Sequence, residues 1–492
     1  MIKFGSWQPD FPDLENPGLT VARNVLPASG GYRPFLGQTT ISTNSLPLRP
    51  RGAVAEELED GTTRIFSGTQ YKLYRLIANV WTDVSRTPNY STADLDYWEF
   101  LRWGGAIIAT NGFDAVQNFP SGGTAFADLS ATAPQAKHIA AIKNFVVLGN
   151  TTDATDGAVG NRVWWSGLAN STSWPTPGTD AAYAVQSGRN DIFDTNGGAI
   201  NRIVGGEHGY VFQRNAITRM VYIGGSAVFQ FDPVDTARGL IAPQAIAKAG
   251  PLIFYLAEDG FYAFDGATST PIGHNKVDKY FFDTLQAGYL NRVQATVLPK
   301  EKVVVWNFPD STSTDGAPNR QLFFSWADGR WTEGNVTDPF MFYARTYGYT
   351  LEDLDSVSSS IDTLTPTLDS ATWMGGTGRH GGFNSSFTYV QYTGTARDAV
   401  IETAEQTIDG GDRVFINGVR PYIDGTTTVQ IGTRNLQTDT EVFSNTTATN
   451  SKTGIADLRA NARFMRVRCN TSGAYTHANG IDLIGAKKAG KR

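Results

Sequence analysis

The stretch that decides the fold of this chain is Leu252-Ile253-Phe254-Tyr255-Leu256, followed by Asp259-Gly260 and then by Phe261-Tyr262-Ala263-Phe264. Both apolar runs are too short for helices, and they contain the β-branched and aromatic residues that are enriched in strands. Asp-Gly pairs accept the positive φ angles that tight turns require, so Asp259-Gly260 predicts a reversal between two strands. The whole stretch therefore predicts a β-hairpin.

The same unit recurs along most of the 492-residue chain. Ala106-Ile107-Ile108-Ala109 leads to Asn111-Gly112, and Leu322-Phe323-Phe324-Ser325-Trp326 leads to Asp328-Gly329. A hairpin that repeats every few dozen residues must stack on its own copies to bury its faces. The sequence thus predicts an all-β protein with a β-propeller of six to seven blades over residues 51–380.

Residues 1–50 predict an extended, proline-rich arm, because closely spaced prolines interrupt both helices and central strands. The arm either wraps around its own domain or docks on a neighbouring subunit. Its candidate interface residues are Trp7, Phe11, Tyr32, Arg33 and Phe35.

Residues 381–486 predict a C-terminal antiparallel β-sandwich, followed by a short basic tail at 487–492. In the run 463–469, Met465, Val467 and Cys469 alternate with Arg466 and Arg468, which is the pattern of a strand buried on one side. Arg466 and Arg468 are either a solvated face or candidate interface residues for phosphate or for an acidic strand of a partner.

The charge balance argues against a protein that reads nucleic-acid sequence. The chain has 41 Lys and Arg against 47 Asp and Glu, a net charge of -6, whereas a sequence reader presents a basic face. No apolar run approaches the roughly 18 residues that a membrane helix needs. The N-terminus lacks the apolar core of a signal peptide, so we expect synthesis in a cytoplasm and no membrane-spanning segment.

No constellation of catalytic or metal-binding residues is recognisable in the sequence. The five histidines are far apart, and Cys469 is the single cysteine. No arginine cluster that would recognise a carboxylate is identifiable. Two runs of carboxylates predict exposed turn edges rather than the acid pair of a glycosidase: Glu56, Glu57, Glu59 and Asp60, and then Asp94, Asp96 and Glu99. We therefore predict no catalytic, cofactor-binding or metal-binding residues and a protein that is not an enzyme.

Several motifs resemble those of tail proteins from short-tailed bacteriophages. Near the N-terminus they are Trp7-Gln8-Pro9-Asp10, Asn16-Pro17-Gly18, Ala22-Arg23-Asn24-Val25-Leu26-Pro27 and Gly31-Tyr32-Arg33-Pro34. Further along they are Ile107-Ile108-Ala109-Thr110-Asn111-Gly112, Arg162-Val163-Trp164-Trp165-Ser166-Gly167-Leu168, Phe229-Gln230-Phe231-Asp232, Pro271-Ile272-Gly273 and Val419-Arg420-Pro421. The resemblance covers nearly the whole chain. It is to the nozzle, tail-hub or packaged-DNA-stabilisation (tail tubular) proteins of such phages.

The resemblance implies a structural virion protein in a ring, commonly a homo-hexamer, below the portal and adaptor rings of the head–tail connector. Its partners would be further copies of itself, portal and adaptor ring proteins, and tail fibre or spike proteins. Double-stranded DNA would be retained in the lumen and conducted through it during ejection, without sequence-specific binding. The protein would assemble in the host cytoplasm and reside in the virion tail. The alternative is a receptor-binding or carbohydrate-binding tail protein, including one that depolymerises a polysaccharide.

Overall fold

The computed structural model of the chain describes residues 1–58, 62–193, 196–346, 376–407 and 412–489, together with residues 358, 360–363 and 367. The N-terminal residues form short strands separated by turns and a 3₁₀ helix at Asp13–Glu15. The strands are β1 (Ile2–Lys3), β2 (Leu19–Arg23), β3 (Val25–Ala28), β4 (Gly31–Pro34) and β5 (Thr39–Ser45).

Six four-stranded antiparallel blades follow in chain order. The first three contain β6 (Ala53–Glu57), β7 (Thr63–Gly68), β8 (Leu73–Ile77) and β9 (Val80–Asp83); β10 (Glu99–Trp103), β11 (Ala106–Thr110), β12 (Gln117–Phe119) and β13 (Ala127–Asp128); and β14 (Gln135–Ile142), β15 (Phe145–Asp153), β16 (Gly157–Trp165) and β17 (Gly188–Asp191). The next three contain β18 (Ile200–Val204), β19 (Gly209–Gln213), β20 (Ile217–Gly224) and β21 (Val228–Asp235); β22 (Ile246–Ala249), β23 (Leu252–Ala257), β24 (Gly260–Phe264) and β25 (Ser269–Pro271); and β26 (Gln294–Leu298), β27 (Val303–Phe308), β28 (Arg320–Ser325) and β29 (Arg330–Asn335).

The seventh blade joins both ends of the propeller sequence. It consists of β30 (Phe340–Arg345), β31 (Gly378–Phe383) and β32 (Thr388–Gln391), and β5 from the N-terminal segment completes it by pairing antiparallel with β32. The first strands of neighbouring blades contact one another around the axis, and β30 contacts β6, so the circle closes. The predicted all-β propeller is therefore confirmed, with seven blades among the described residues.

The C-terminal strands belong to three sheets that share one apolar core: one is continuous with blade six through β2, one also contains N-terminal strands, and the third is a small three-stranded sheet. Its strands are β33 (Ala399–Thr403), β34 (Gln406–Thr407), β35 (Val414–Ile416), β36 (Gly418–Ile423), β37 (Thr426–Arg434), β38 (Val442–Phe443), β39 (Thr447–Ala448), β40 (Ala460–Ala462), β41 (Phe464–Ser472), β42 (Ala478–Ile484) and β43 (Lys487–Lys488). One sheet contains β33, β41 and β37, and the facing sheet contains β1, β42, β4, β3 and β36. In β41, Met465, Val467 and Cys469 are buried, as the alternation predicts.

Helices are short connections in this fold. They are α1 (Asp180–Val185), α2 (Asp278–Thr284) and the 3₁₀ helices at Ala287–Arg292 and Ile361–Thr363.

The predicted domain boundaries at residues 50, 380 and 486 stay predictions, but the first 50 residues differ from an extended arm. β5 belongs to the seventh blade, and β2 pairs parallel with β29 of blade six and antiparallel with β33 of the C-terminal part. The prolines lie where they remove no essential ladder bond: Pro27 and Pro34 sit in a short two-stranded hairpin. Of the predicted basic tail, Lys487 and Lys488 form β43 beside β35, and residues 490–492 lie outside the described residues.

The hairpin around Asp259-Gly260 forms as predicted. Ala257 pairs with Gly260 across the turn, and Gly260 has a φ of +143°, a conformation that side chains disfavour. A Cβ atom at Gly260 would overlap the carboxylate of Asp278, which accepts a hydrogen bond from the Phe261 backbone N–H at 3.1 Å. Gly329, in the hairpin between β28 and β29 of blade six, also has a positive φ of +70°, but a Cβ there would meet no atom within 4 Å.

These two glycines allow backbone strain to be separated from steric overlap. We expect Gly329→Ala to lower the free energy of unfolding by about 1 kcal/mol, the cost of placing a side chain at positive φ. Gly260→Ala should cost about 2–4 kcal/mol, because overpacking against Asp278 adds to the same strain. Urea unfolding of both variants and the parent measures the difference. Equal losses in the two variants would contradict the close approach of Asp278.

Candidate functional site

The first strand of each blade, which we call its inner strand, lies next to the propeller axis. The loops that lead into these inner strands converge at one mouth of the propeller channel. The inner strands share a direction, as a parallel bridge between Ile142 and Gly206 shows for blades three and four. Two neighbouring pockets open there. The axial pocket, of about 330 Å³, is lined by residues that include Asp96, Glu99, Lys137, His138 and Arg214. The second, which we call the arginine pocket, has a volume of about 450 Å³ and lies beside blades six, seven and one.

A buried charge network forms one wall of the axial pocket. Glu99 on β10 accepts a hydrogen bond from Arg202 Nη1 on β18 at 2.6 Å, and His138 Nδ1 on β14 lies 2.8 Å from the same carboxylate oxygen. The Ile139 backbone N–H donates to the other oxygen at 3.2 Å. Burial by itself raises the pKa of Glu99, but Arg202 and His138 outweigh it, and the pKa is lowered. The network joins three consecutive blades through one carboxylate.

This network corrects the expectation that Asp94, Asp96 and Glu99 form an exposed turn edge. The Glu99 side chain is only 3% exposed, and Asp96 binds Lys137 Nζ at 3.0 Å. Only Asp94 is largely exposed, and it too has partners. These carboxylates lie at the channel mouth because residues 94–99 lead into β10, the first strand of blade two. Charged groups from neighbouring blades lie close together there.

Three guanidinium groups surround the carboxylate of Asp94: Arg49 and Arg292 line the arginine pocket, whereas Arg51 is outside its lining. Arg51 Nη2 lies 3.3 Å from Asp94 Oδ1, and Arg292 Nη2 lies 2.8 Å from Oδ2. Arg49 Nη2 donates to the Asp94 backbone carbonyl at 3.4 Å, and its guanidinium also interacts with the Tyr97 hydroxyl. Burial and the neighbouring guanidinium groups lower the pKa of both Arg49 and Arg51, against the favourable effect of Asp94. Positive charge is therefore concentrated around Asp94.

The rest of the arginine pocket is polar with one aromatic face. Four exposed hydroxyl residues line it: Thr312, Thr314, Thr337 and Ser385. Phe387 also lines it and has a φ of +60°, which is uncommon for a bulky residue. Chemically, this arrangement can hold an anion against guanidinium groups while hydroxyl groups face the remainder of the ligand.

Sequence reasoning missed this cluster. Arg49 and Arg51 lie in the segment before blade one, Asp94 before blade two and Arg292 before blade six. The position of these residues in the sequence becomes informative only once a propeller is assumed. Residues that directly precede the first strand of each blade then lie together at one end of the channel.

The candidate interface residues of the N-terminal segment are mostly internal. Trp7 and Tyr32 are 1% exposed and Phe35 is 2% exposed. Trp7 Nε1 donates a hydrogen bond to the Thr20 carbonyl at 3.0 Å, and Tyr32 OH donates to the Gly5 carbonyl at 2.6 Å. Phe35 stacks on Tyr392 with a centroid distance of 5.0 Å. These three rings fasten the segment to its own chain, which agrees with the alternative of an arm that wraps around its own domain.

The remaining candidate interface residues are partly exposed. Phe11 is 38% exposed, and Arg33 forms an ion pair with Glu301 at 2.5 Å. Arg466 binds Glu402, Glu441 and Asp13, and Arg468 Nε binds Glu402 at 2.5 Å. Because intramolecular carboxylates occupy both arginines, neither forms the solvated face considered above. A role for any of these residues in assembly stays a prediction.

Other reactive groups are few in the part of the chain that the structure describes. Cys469 is buried, and burial raises the pKa of its thiol to about 12. Within the described ranges, no three His, Cys, Asp or Glu side chains are grouped as metal ligands. Nor does any helix there combine the length and apolar character needed to cross a membrane.

Comparisons with known proteins give structural similarity only. No protein-family model matches the chain, and no curated protein matches it. Among solved structures, it is similar to the Neurospora crassa Pan2 WD40 domain, with 7% identity, coverage of 72% of this chain and 95% of that chain, and a TM-score of 0.40. It is also similar to an ancestral GH74 enzyme (10% identity, 87% and 55% coverage, TM-score 0.39) and to an exo-beta-1,3-galactanase from Phanerochaete chrysosporium (9% identity, 82% and 97% coverage, TM-score 0.26).

The prediction that the chain is not an enzyme is corrected by these comparisons. Two of the structures, the GH74 enzyme and the galactanase, are glycoside hydrolases. A propeller scaffold without a recognisable catalytic motif in its sequence is therefore no ground for excluding enzymatic activity. At these identities and TM-scores the similarity also assigns no reaction to this chain.

The buried network at Glu99 generates a stability prediction. Glu99→Gln should lower the free energy of unfolding at pH 7 by about 3 kcal/mol, because Arg202 loses the ionised carboxylate with which it is paired. Asp283→Asn, which breaks the exposed Lys279–Asp283 pair, is the control and should change it by less than about 1 kcal/mol.

The pH dependence of this effect has a defined sign. The lowered pKa of Glu99 means that its ionised form stabilises the folded state. The advantage of the parent over Glu99→Gln is thus fully present above the ordinary glutamate pKa, and it is lost as the pH falls through the folded-state pKa. Urea titrations across this range measure it. A difference that stays constant with pH would contradict an ionised Glu99.

Proposed function

We propose that this chain is a structural subunit of a ring in the tail of a short-tailed bacteriophage, a nozzle or tail hub. In this role it continues the DNA channel from the portal and adaptor rings, retains packaged DNA and conducts it during ejection. The protein belongs in the virion tail after assembly in the host cytoplasm. The resemblance of motifs from Trp7 to Pro421 supports this class of assembly.

The observation that carries the proposal is that large apolar side chains are exposed in two different parts of the molecule, which we call the two apolar patches. Tyr183 and Ile223 lie at the rim of blades three and four, where the Tyr222 hydroxyl donates to Gln186 Oε1 at 2.8 Å. Leu436 and Val442 lie around the β37–β38 hairpin of the C-terminal part. All four side chains are more than half exposed.

Two different patches on one subunit suit a heterologous contact, in which each copy presents one patch to the next and a closed rotation produces a ring. A rigid subunit favours closure over an open filament. The pairing of β2 with both β29 and β33 supports such rigidity, because one strand belongs to the propeller sheet and to the C-terminal sheet.

The charge of the chain supports conduction of DNA rather than tight binding. Each phosphate neutralised by Lys or Arg adds a salt-sensitive attraction that must be broken as the strand advances. With a net charge of -6, the chain has no overall basic excess for a gripping channel.

A second candidate function is binding of a carbohydrate receptor by a tail protein. The arginine pocket at the channel mouth favours it, because two guanidinium groups, those of Arg49 and Arg292, meet exposed hydroxyl residues and an aromatic face in one cavity. This function does not require ring formation.

Assembly is tested with two patch variants and one control. We expect Val442→Asp and Ile223→Asp to abolish the oligomer seen by native mass spectrometry with the parent chain, since a buried aspartate at an apolar interface remains unpaired. Val80→Asp, which places the same residue on the outer strand of blade one, should assemble normally. All three should unfold at the parent temperature because each site is exposed. Assembly by both patch variants, or a parent chain that stays monomeric and absent from virions, would contradict the proposal.

A further inference from the structure

Among the described residues, Asp94 is the one carboxylate that forms ion pairs with the cluster of Arg49, Arg51 and Arg292. Arg51 and Arg292 have side chains only 7% and 8% exposed, and they share Asp94, which is 64% exposed. The Nε atoms of Arg49, Arg51 and Arg292 are buried and have no hydrogen-bond partner among the described residues. Asp315 is the other carboxylate in the pocket, and it accepts hydrogen bonds from the Ala317 N–H and the Ser313 hydroxyl rather than from an arginine.

Such an imbalance is costly unless a ligand relieves it, because buried guanidinium groups need compensating charge. Water and backbone carbonyls relieve only part of it: Arg51 donates to the Thr92 carbonyl and Arg292 to the Asp315 carbonyl. Arg49 has no carboxylate of its own and lines the open cavity. One anionic group beside Arg49 and Arg292 would restore the balance toward neutrality.

Asp94 shows which anion the cluster accommodates. Its two oxygens contact two different guanidinium groups, as carboxylates commonly do with arginine. A second carboxylate on the cavity side would use the same chemistry. The cavity beyond it, about 450 Å³ with four exposed hydroxyl residues and the Phe387 ring, falls in the size range of small-molecule sites.

We propose that the arginine pocket binds an acidic saccharide, with the carboxylate of the sugar beside Arg49 and Arg292 and its hydroxyl groups facing the Thr312, Thr314 and Ser385 side of the cavity. This inference rests on the second candidate function, carbohydrate binding, and is independent of ring assembly. A hydroxyl-lined cavity with one aromatic wall suits a sugar ring better than a bare anion. A nucleic-acid backbone would instead need cations in a row along a groove.

The probes are D-glucuronate, its neutral counterpart D-glucose, and inorganic phosphate, each titrated into the full chain by isothermal calorimetry and saturation-transfer NMR. We expect glucuronate to bind at least about tenfold more tightly than glucose, a difference of one charge-assisted contact. Raising the salt concentration should weaken glucuronate binding and leave glucose unchanged.

Variants locate the site. Arg49→Gln should weaken glucuronate binding at least about fivefold, because it removes one of the two guanidinium groups that line the pocket. Thermal unfolding of the same variant shows that it stays folded. Arg238→Gln removes an equal charge from an arginine outside the pocket and should leave the affinity unchanged. Asp94→Asn should tighten glucuronate binding, since it removes the competing internal carboxylate.

The outcomes separate this inference from the broader function. Binding of neutral sugars without preference for glucuronate would leave carbohydrate binding in place and overturn the acidic ligand. Phosphate bound as tightly as glucuronate would show an anion site without saccharide recognition and would also overturn it. No binding of any sugar would overturn both the inference and the second candidate function. Equal losses in Arg49→Gln and Arg238→Gln would reduce the effect to net charge.

Discussion

One short strand, β2, joins the propeller to the C-terminal part of the molecule. Arg23 at its end pairs with Glu333 in the backbone ladder, and their side chains form an ion pair at 2.7 Å. Glu333 is buried and also accepts a hydrogen bond from the Tyr280 hydroxyl at 2.6 Å, so both of its carboxylate oxygens have partners. Beside it, Trp7 packs edge-on against Tyr280 with a centroid distance of 5.2 Å. Because β2 is shared, blade six and the C-terminal sheet cannot move apart without breaking either the Arg23–Glu333 pairing or the ladder between β2 and β33.

Local sequence patterns predict those parts of the structure that depend only on residues close together in the chain. The hairpin at Gly260 follows from the conformational preference of one glycine, and the buried side of β41 follows from alternation. Repetition of such hairpins is enough to predict a propeller. The seventh blade is completed by β5, whose partner β32 lies at the far end of the propeller sequence. No local pattern links the two strands, so this pairing could not be predicted.

The candidate site could not be predicted, for a related reason. Asp94 in isolation has the pattern of an exposed turn residue, and its meaning changes only when Arg51 and Arg292 arrive from other blades. The aromatic residues of the N-terminal segment pose the opposite difficulty. Trp7 supplies the same apolar surface whether it docks on a partner or on its own chain, so composition cannot distinguish the two. The structure places it in the chain's own core.

The closure of blade seven by β5 also sets an order of events during synthesis. Thr39 and Ser45 leave the ribosome early, but their partners Gln391 and Thr388 are made only after every other blade. Until then β5 has no partner in its ladder, and an unpaired strand edge is a template for association with other chains. Such distant pairing is slow because the ends must find each other across the whole propeller. The completed circle is therefore formed after translation has passed the last blade, and the edge of β5 is open to association with other chains during that interval.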